Sequence, residues 1–244
     1  MITLPPPIYQ VGYLERVPLG TPYPAIVAHV GRLLTKLPGR PQLIIDFTGV
    51  GRPIFDMFVC SGIYPIGVLI TGGTAVTRDR RTYTVPKLIL VSRLQALLHQ
   101  GHLKILRELP EAETLVRELQ DFRMEFTAAG HLTFNARSGK HDDLVLALAI
   151  AVWRAYGGGN GSCELFQLQR RKAGLEWANE PRYYVGVDLG QSRDPTAIAV
   201  VRRVEPPGPV PEDDFGLKPK LTYARGSLEW EEEQRRLQNK AAPE

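Results

Sequence analysis

Four aspartates stand at positions where carboxylates can act together. Asp46 and Asp188 each end a short apolar run of the kind that forms a buried strand, and Asp142 and Asp143 open a long apolar run that suits a buried helix. Carboxylates bind Mg²⁺ and Mn²⁺, and two such ions about 4 Å apart promote phosphodiester hydrolysis. The four aspartates therefore predict a Mg²⁺ or Mn²⁺ site in which they are both metal-binding and catalytic residues.

Each aspartate also has a plain structural interpretation. A single Asp at a strand end more often caps a turn than holds a metal, and Asp142 suits the N-cap of the helix. Asp142 and Asp143 point about 100° apart around a helix, so both stay candidates for the residue that faces a metal. Asp188 fits a structural role least, because an unpaired carboxylate after Val185–Val187 carries a desolvation cost.

Several basic residues are weaker candidates for a function. His141 flanks the apolar helix and suits the placing of a water or a phosphate. Lys87 and the run of Arg78, Arg80 and Arg81 suit contacts with backbone phosphates. A charge run is usually a solvated surface, so these residues predict phosphate contacts less strongly than the aspartates predict a metal site.

Strand and helix patterns alternate along most of the chain, which predicts an α/β fold. Breakers such as Pro38-Gly39 set the limits of these elements. The predicted strands are 8–16, 43–47, 64–71, 103–106, 123–127, 183–188 and 196–203, and the predicted helices are 23–37, 53–60, 87–100, 110–121 and one that begins at 142. The segment from 128 to 140 is predicted to be a polar loop, and the last two strands form a hairpin with a long turn.

The composition is that of an ordinary globular protein of 244 residues. Lys and Arg number 30 against 26 Asp and Glu, and the pI near 9.1 suits a polyanionic partner. Cys60 and Cys163 match no zinc spacing, which predicts reduced thiols in an intracellular protein. The sequence has no signal peptide and no apolar run near the roughly 18 residues of a membrane span, so we expect a soluble protein without a membrane partner.

Glycine-rich and charged segments divide the chain into four predicted parts. Residues 1–156 are the main part of the domain, and 157–182, which begins Gly-Gly-Gly-Asn-Gly, is a linker. Residues 183–222 carry the strand hairpin that completes the sheet. Residues 223–244 are a charged tail.

Five segments together resemble the nuclease domain of tailed-phage terminase large subunits, which belongs to the ribonuclease-H-like superfamily. They are PLGTPYP at 18–24, IDFTGVGRP at 45–53, TGG at 71–73, HDDLVLALA at 141–149 and YYVGVDLGQSRDPTAIAVV at 183–201. The resemblance covers roughly residues 8–156 and 183–204. It implies a ribonuclease-H-like mixed β-sheet flanked by helices.

The resemblance also implies an activity and a set of site residues. The family is a metal-dependent DNA endonuclease that cuts phage DNA during packaging, in the cytoplasm of the bacterial host. Asp188 then corresponds to the acid of the first strand, Asp46 to the middle acid, and Asp142 or Asp143 to the acid of the last helix. The implied partners are double-stranded DNA, a separate packaging ATPase and the portal.

Two features depart from the family pattern. The strand that carries Asp188 comes first in the family but follows the last helix here, which predicts a circular permutation joined through the glycine-rich linker. A permuted chain folds when its old termini are close together. The alternative explanations of this order are a rearranged or fragmentary gene and strand exchange between two chains. The sequence also has no Gly-x-x-x-x-Gly-Lys-Ser/Thr phosphate loop, so this chain is not by itself a complete packaging ATPase.

Two other functions compete with the nuclease. The segments 187–192 and 70–74 resemble the phosphate loop and the adenosine-contacting turn of an actin-like or sugar-kinase-like nucleotide-binding half. That fold normally needs two such domains, and it gives no role to the acids at 142 and 143. The third possibility is a basic DNA-binding or assembly module that has kept the fold and lost catalysis.

Overall fold

The computed structural model describes residues 6–49, 51–126, 132–136, 142–157, 182–190 and 194–205. Most of the predicted linker at 157–182, the segment 206–222, the predicted tail at 223–244 and His141 lie outside these ranges. The predicted domain limits therefore stay predictions.

The described residues form one mixed α/β arrangement. Its strands are β1 (Ile8–Arg16), β2 (Gln42–Asp46), β3 (Ile66–Thr71), β4 (Thr77–Asp79), β5 (Thr82–Pro86), β6 (Leu103–Ile105), β7 (Phe122–Phe126), β8 (Leu132–Ala136), β9 (Arg182–Asp188) and β10 (Ala197–Val204). Its helices are α1 (Tyr23–Lys36), α2 (Gly51–Cys60), α3 (Lys87–His99), α4 (Ala112–Asp121) and α5 (Asp143–Ala155). No described helix is long and apolar enough to cross a membrane.

Eight strands form one sheet in the order β4-β5-β3-β2-β9-β10-β1-β6, and β7 and β8 form a separate antiparallel pair. The central strand β9 runs parallel to β2 on one side and antiparallel to β10 on the other. Strands β2, β3 and β5 run in parallel, whereas β10 and β1 are antiparallel. The late strands β9 and β10 are thus inserted between the early strands β1 and β2, which confirms the expected mixed sheet flanked by helices.

Helices cover both faces of this sheet, because each strand buries apolar residues on alternate sides. One core joins α3, α4 and α5 to side chains such as Ile44 and Tyr184. The other core joins α1 and α2 to side chains such as Leu43 and Val185, which come from the same strands but point the opposite way. This alternation determines the face of the sheet from which Asp46 of β2 and Asp188 of β9 project.

Helix α5 is the most buried helix of the described chain. Its residues from Leu144 to Val152 are buried apart from the partly exposed Leu146. It lies close to β9, where a Cβ on Gly186 would overlap the backbone carbonyl oxygen of Ala147. Glycine at this position therefore lets the start of α5 approach the central strand.

The structure differs from the predicted elements in two places. The residues of β4 and β5 were not predicted as strands, although Tyr83 and Val85 alternate as buried residues of β5. Charged and polar residues surround these two positions, and the short run has only a weak period of two. Residues 132–136, predicted to belong to a polar loop, form β8 by pairing with β7.

Candidate active site

Asp46 and Asp188 lie side by side at the carboxyl ends of two neighbouring strands. They are paired positions in the parallel register of β2 and β9, so their side chains project from the same face of the sheet. Asp46 follows the alternation of Ile44, and Asp188 follows that of Tyr184, which both pack in the core around α5. The two carboxyls therefore face the helix that carries the other two aspartates.

The N-terminus of α5 brings Asp142 and Asp143 to this same end of the sheet. Asp142 occupies the N-cap position that its structural interpretation gave it, but its side chain makes no capping hydrogen bond. Its Oδ2 instead accepts a hydrogen bond from Lys87 Nζ at 2.9 Å. Asp143 is buried and has its Oδ2 3.9 Å from Nη2 of Arg16. We call Asp46, Asp142, Asp143 and Asp188 the acid cluster.

The charge state of Asp46 reflects competing effects. Burial is the largest effect and raises the pKa of Asp46 to about 6, and the nearby Asp142 adds to the increase. Thr48 lowers the pKa, because both its backbone N–H and its hydroxyl donate hydrogen bonds to Asp46 Oδ1, at 2.8 and 2.6 Å. Lys87 also lowers it. Thr48 and Lys87 thus favour the ionised carboxylate that a metal ligand must present.

The pKa of Asp188 is raised as well. Burial raises the pKa of Asp188 well above its usual range, and the negative charges of Asp46, Asp143 and Asp142 raise it further, whereas Lys87 lowers it. Each of the other three aspartates is therefore close enough to Asp188 to repel its negative charge. A cation placed among these acids would relieve the repulsion.

A second group of residues supports the start of α5 from behind. Glu118 of α4 is only 6% exposed, accepts a hydrogen bond from the backbone N–H of Val145 at 3.1 Å, and pairs with Arg16. Burial raises the pKa of Glu118 to about 7, although Arg16 and the Val145 N–H both oppose this shift. Glu118 thus joins the first turn of α5 to the Arg16 guanidinium, which also lies beside Asp143.

The sequence did not reveal Glu118, Arg16 or Thr48 as residues of this region, and it suggested only phosphate contacts for Lys87. One sequence signal was available for Glu118, because it lies on the buried face of α4 with Ala112 and Leu115. A Glu on the apolar stripe of a helix is uncommon unless it has a buried partner.

The carboxylate oxygens of the acid cluster are of the kind that binds a divalent metal, because Mg²⁺ and Mn²⁺ prefer oxygen ligands. Their present arrangement is not a finished metal site. No three Asp, Glu, His or Cys residues of the described ranges are grouped to hold a metal ion as they stand. Lys87 occupies one carboxylate oxygen of Asp142, and Thr48 occupies one carboxylate oxygen of Asp46.

The turn before α1 lies beside the chain that follows Asp188. The Tyr23 hydroxyl donates a hydrogen bond to the Gly190 carbonyl at 3.1 Å, and Pro18, Thr21 and Thr196 help to line a cavity of about 290 Å³ between the two segments. The predicted motif at 18–24 and the strand motif that begins at 183 are therefore neighbours in the fold.

Comparison with known proteins gives a family likeness for half of the chain. A segment of 123 residues is 28% identical to the large terminase subunit of Thermus phage G20c and to that of Thermus virus P23-45. This chain is similar to phage large terminases. The match covers 50% of the chain and 22% of either relative, so the chain matches less than a quarter of the length of these terminases. The chain matches no protein-family model.

Solved terminase nucleases show a weaker likeness. The large terminase nuclease of thermophilic phage G20c aligns with a TM-score of 0.44 and 21% identity, over 61% of this chain and 82% of that chain. The nuclease domain of Thermus phage P74-26 aligns with a TM-score of 0.42 and 20% identity, over 64% and 83% of the two chains. The G20c nuclease has also been solved with bound magnesium and with bound cobalt.

Proposed function

We propose that this chain is a two-metal-dependent DNA endonuclease of the phage terminase type. The main support is that Asp46 and Asp188 lie at neighbouring strand ends, on the face of the sheet where α5 begins with Asp142 and Asp143. Three separate parts of the sequence thus bring carboxylates to one place. The similarity to large terminases over 123 residues supports the same function.

In this proposal the acid cluster holds Mg²⁺ or Mn²⁺, with Asp46 and Asp188 as ligands and Asp142 or Asp143 completing the set. Divalent ions in such a site supply a water of lowered pKa and stabilise the leaving oxygen of the phosphodiester. Thr48 orients Asp46 through two hydrogen bonds to one oxygen, which leaves the other carboxylate oxygen for another ligand. Lys87 offsets part of the negative charge near the site.

The substrate in this proposal is double-stranded viral DNA, and the product is DNA cut for packaging. A separate packaging ATPase and the portal are the proposed partners, because the resemblance to large terminases implies them. The proposed place of action is the cytoplasm of an infected bacterium.

One observation favours a second candidate, a DNA-binding module without catalysis. The described acids are not grouped as a ready metal site, and Lys87 pairs with the carboxyl of Asp142. If this pairing persists in the presence of metal, the acid cluster would not assemble.

Cleavage of supercoiled plasmid by the purified chain tests both candidates. We expect nicking and linearisation with Mn²⁺ or Mg²⁺ and none with chelator. Asp188→Ala and Asp46→Ala should both abolish cleavage. Asp56→Ala is the matched control, because Asp56 lies exposed on α2, and this variant should cleave like the wild type.

The thermal midpoint of each variant shows whether it has folded. A folded wild type that cuts no DNA with either metal would contradict the nuclease and favour the binding module. Cleavage that survives both substitutions in the acid cluster would place the nuclease site elsewhere.

A further inference from the structure

A second polar site lies at the opposite end of the sheet from the acid cluster. The start of β2, the start of β3, the β4–β5 hairpin and the end of α5 enclose a cleft of about 370 Å³. Four guanidinium groups line it, together with Tyr64. We call this site the arginine cleft; its arginines are Arg78, Arg80, Arg81 and Arg154.

The charge of the arginine cleft is not balanced by acids within it. None of the residues that line it is acidic, and none of the ion pairs among the described residues engages Arg78, Arg80 or Arg81. A concave surface with several positive charges attracts anions, and planar guanidinium groups match phosphate oxygens in geometry. The ligand that this charge selects is therefore an anion, and a phosphate group suits it well.

Neutral groups hold three of these four arginines in place. Arg78 Nε donates to the carbonyl of Arg80 at 2.9 Å, and Arg81 Nε donates to the carbonyl of Pro65 at 3.2 Å. Arg154 Nε donates to the side-chain oxygen of Gln42 at 2.8 Å. The acceptors in these bonds are uncharged, and the bonds restrict the side chains, which lowers the entropic cost of binding an anion.

An exposed aromatic ring indicates which phosphate compound the cleft takes. Tyr64 is 63% exposed although it lines the cleft, and its backbone carbonyl accepts a hydrogen bond from Arg81. Arginines that track phosphates beside an aromatic ring that stacks on a base are the combination that binds single strands. A duplex keeps its bases stacked inside, so the exposed ring favours an unpaired base.

We propose that the arginine cleft binds a single strand of DNA, with a phosphate on its arginines and one base stacked on Tyr64. The volume is near the lower end of ligand pockets, roughly 300–1,000 Å³, and suits one nucleotide unit of the strand. Arg154 and Asp143 are at opposite ends of α5, roughly 16 Å apart along the helix. The cleft is thus a separate contact that does not depend on cleavage at the acid cluster.

Binding of a fluorescent oligothymidylate, measured by anisotropy in chelator, tests this proposal without cleavage. Tyr64→Ala should weaken binding about five- to hundredfold, because it removes a stacking partner. Arg80→Gln should weaken binding and reduce the slope of log affinity against log salt by roughly 0.7, because one phosphate contact is lost. Arg117→Gln is the matched control, because Arg117 is 71% exposed on α4, does not line the cleft and loses the same charge.

Competitors identify the form of the ligand. We expect unlabelled single strands to displace the probe at lower concentrations than duplex, thymidine monophosphate, inorganic phosphate or polyglutamate. Equal displacement by free phosphate, or by polyglutamate, would overturn the single-strand assignment. Unchanged affinity in both Tyr64→Ala and Arg80→Gln would overturn the site itself. None of these results depends on whether the acid cluster cuts DNA, so failure of the nuclease proposal stays distinguishable.

Discussion

Three of the aspartates at the proposed nuclease site lie beside three different kinds of group, a hydroxyl, an ammonium and a guanidinium. Thr48 hydrogen-bonds Asp46, Lys87 pairs with Asp142, and Arg16 lies beside Asp143. Hydrogen bonds and cations favour the ionised carboxylates, whereas burial and mutual repulsion oppose ionisation. The raised pKa values of Asp46 and Asp188 indicate that burial and repulsion dominate without metal.

Glu118 provides a residue-scale prediction that is independent of metal. Its pKa of about 7 exceeds the ordinary value of 4.5, so the folded state binds its proton more tightly than the unfolded state does. The free energy of unfolding should therefore fall as pH rises from about 4.5 to about 7, by about 1–3 kcal/mol from this group. Glu118→Gln should remove that part of the pH dependence, as measured by urea unfolding in chelator.

The matched control for Glu118→Gln is Glu113→Gln on the same helix. The Glu113 side chain is 86% exposed and pairs across one turn of α4 with Arg117. Its replacement should leave the pH profile of stability parallel to that of the wild type. If Glu118→Gln also gave a parallel profile, the buried carboxyl would not titrate as its surroundings indicate.

The sequence made the four aspartates candidates because each ends or opens an apolar run. Pairing of the strands then explains why Asp46 and Asp188 are neighbours, which no local pattern could show. Glu118 and Arg16 were missed because their meeting joins α4 to β1, across 102 positions of sequence. Interactions of this range depend on the tertiary fold, and single-residue properties do not predict them.

At the scale of elements, the contact between α5 and β9 positions the candidate site. Gly186→Ala tests this contact, because the new Cβ would meet the backbone of α5 at Ala147 and the Cβ of Ala151. Both partners are buried and rigid, so we expect a loss of roughly 2–4 kcal/mol in unfolding free energy, measured with urea. The matched control is Gly12→Ala in β1, where a Cβ meets nothing within 4 Å.

Plasmid cleavage and stability of Gly186→Ala together show whether the close approach of α5 to β9 matters. A folded variant with weak plasmid cleavage and normal secondary structure would show that α5 has moved away from β9. Stability equal to that of Gly12→Ala would mean that the helix and the strand can separate at little cost, and the close approach would not matter.

Long apolar runs made most elements predictable, since the helices and strands of the core match the expected positions within a few residues. Short polar elements were not predictable. Strand β4 is Thr-Arg-Asp and is fully exposed, so its strand conformation depends on pairing with β5. Strand β8 likewise forms through its partner β7. Pairing across a sheet supplies what the local sequence lacks.

At the scale of the whole molecule, the order of the strands in the sheet differs from their order along the chain. The last two described strands lie in the middle of the sheet, between β1 and β2. The sequence segments that resemble terminase nucleases imply a family order in which the strand of Asp188 comes first, and on this ground we propose that this chain is a circular permutation. The register is consistent with that interpretation, because Ile8 at the start of β1 pairs with Val204 at the end of β10.

A rearranged chain tests this interpretation directly. Residues 182–205 would come first, followed by a short turn and then residues 6–157, which omits the segments 1–5, 158–181 and 206–244. A turn of about two to five residues can join antiparallel partners such as Val204 and Ile8. Because every strand pairing among the described residues is kept, we expect a cooperative thermal transition within a few degrees of the wild type. Plasmid cleavage should match that of the wild type, whereas an unfolded product would show that the omitted segments are needed to place β9 in the sheet.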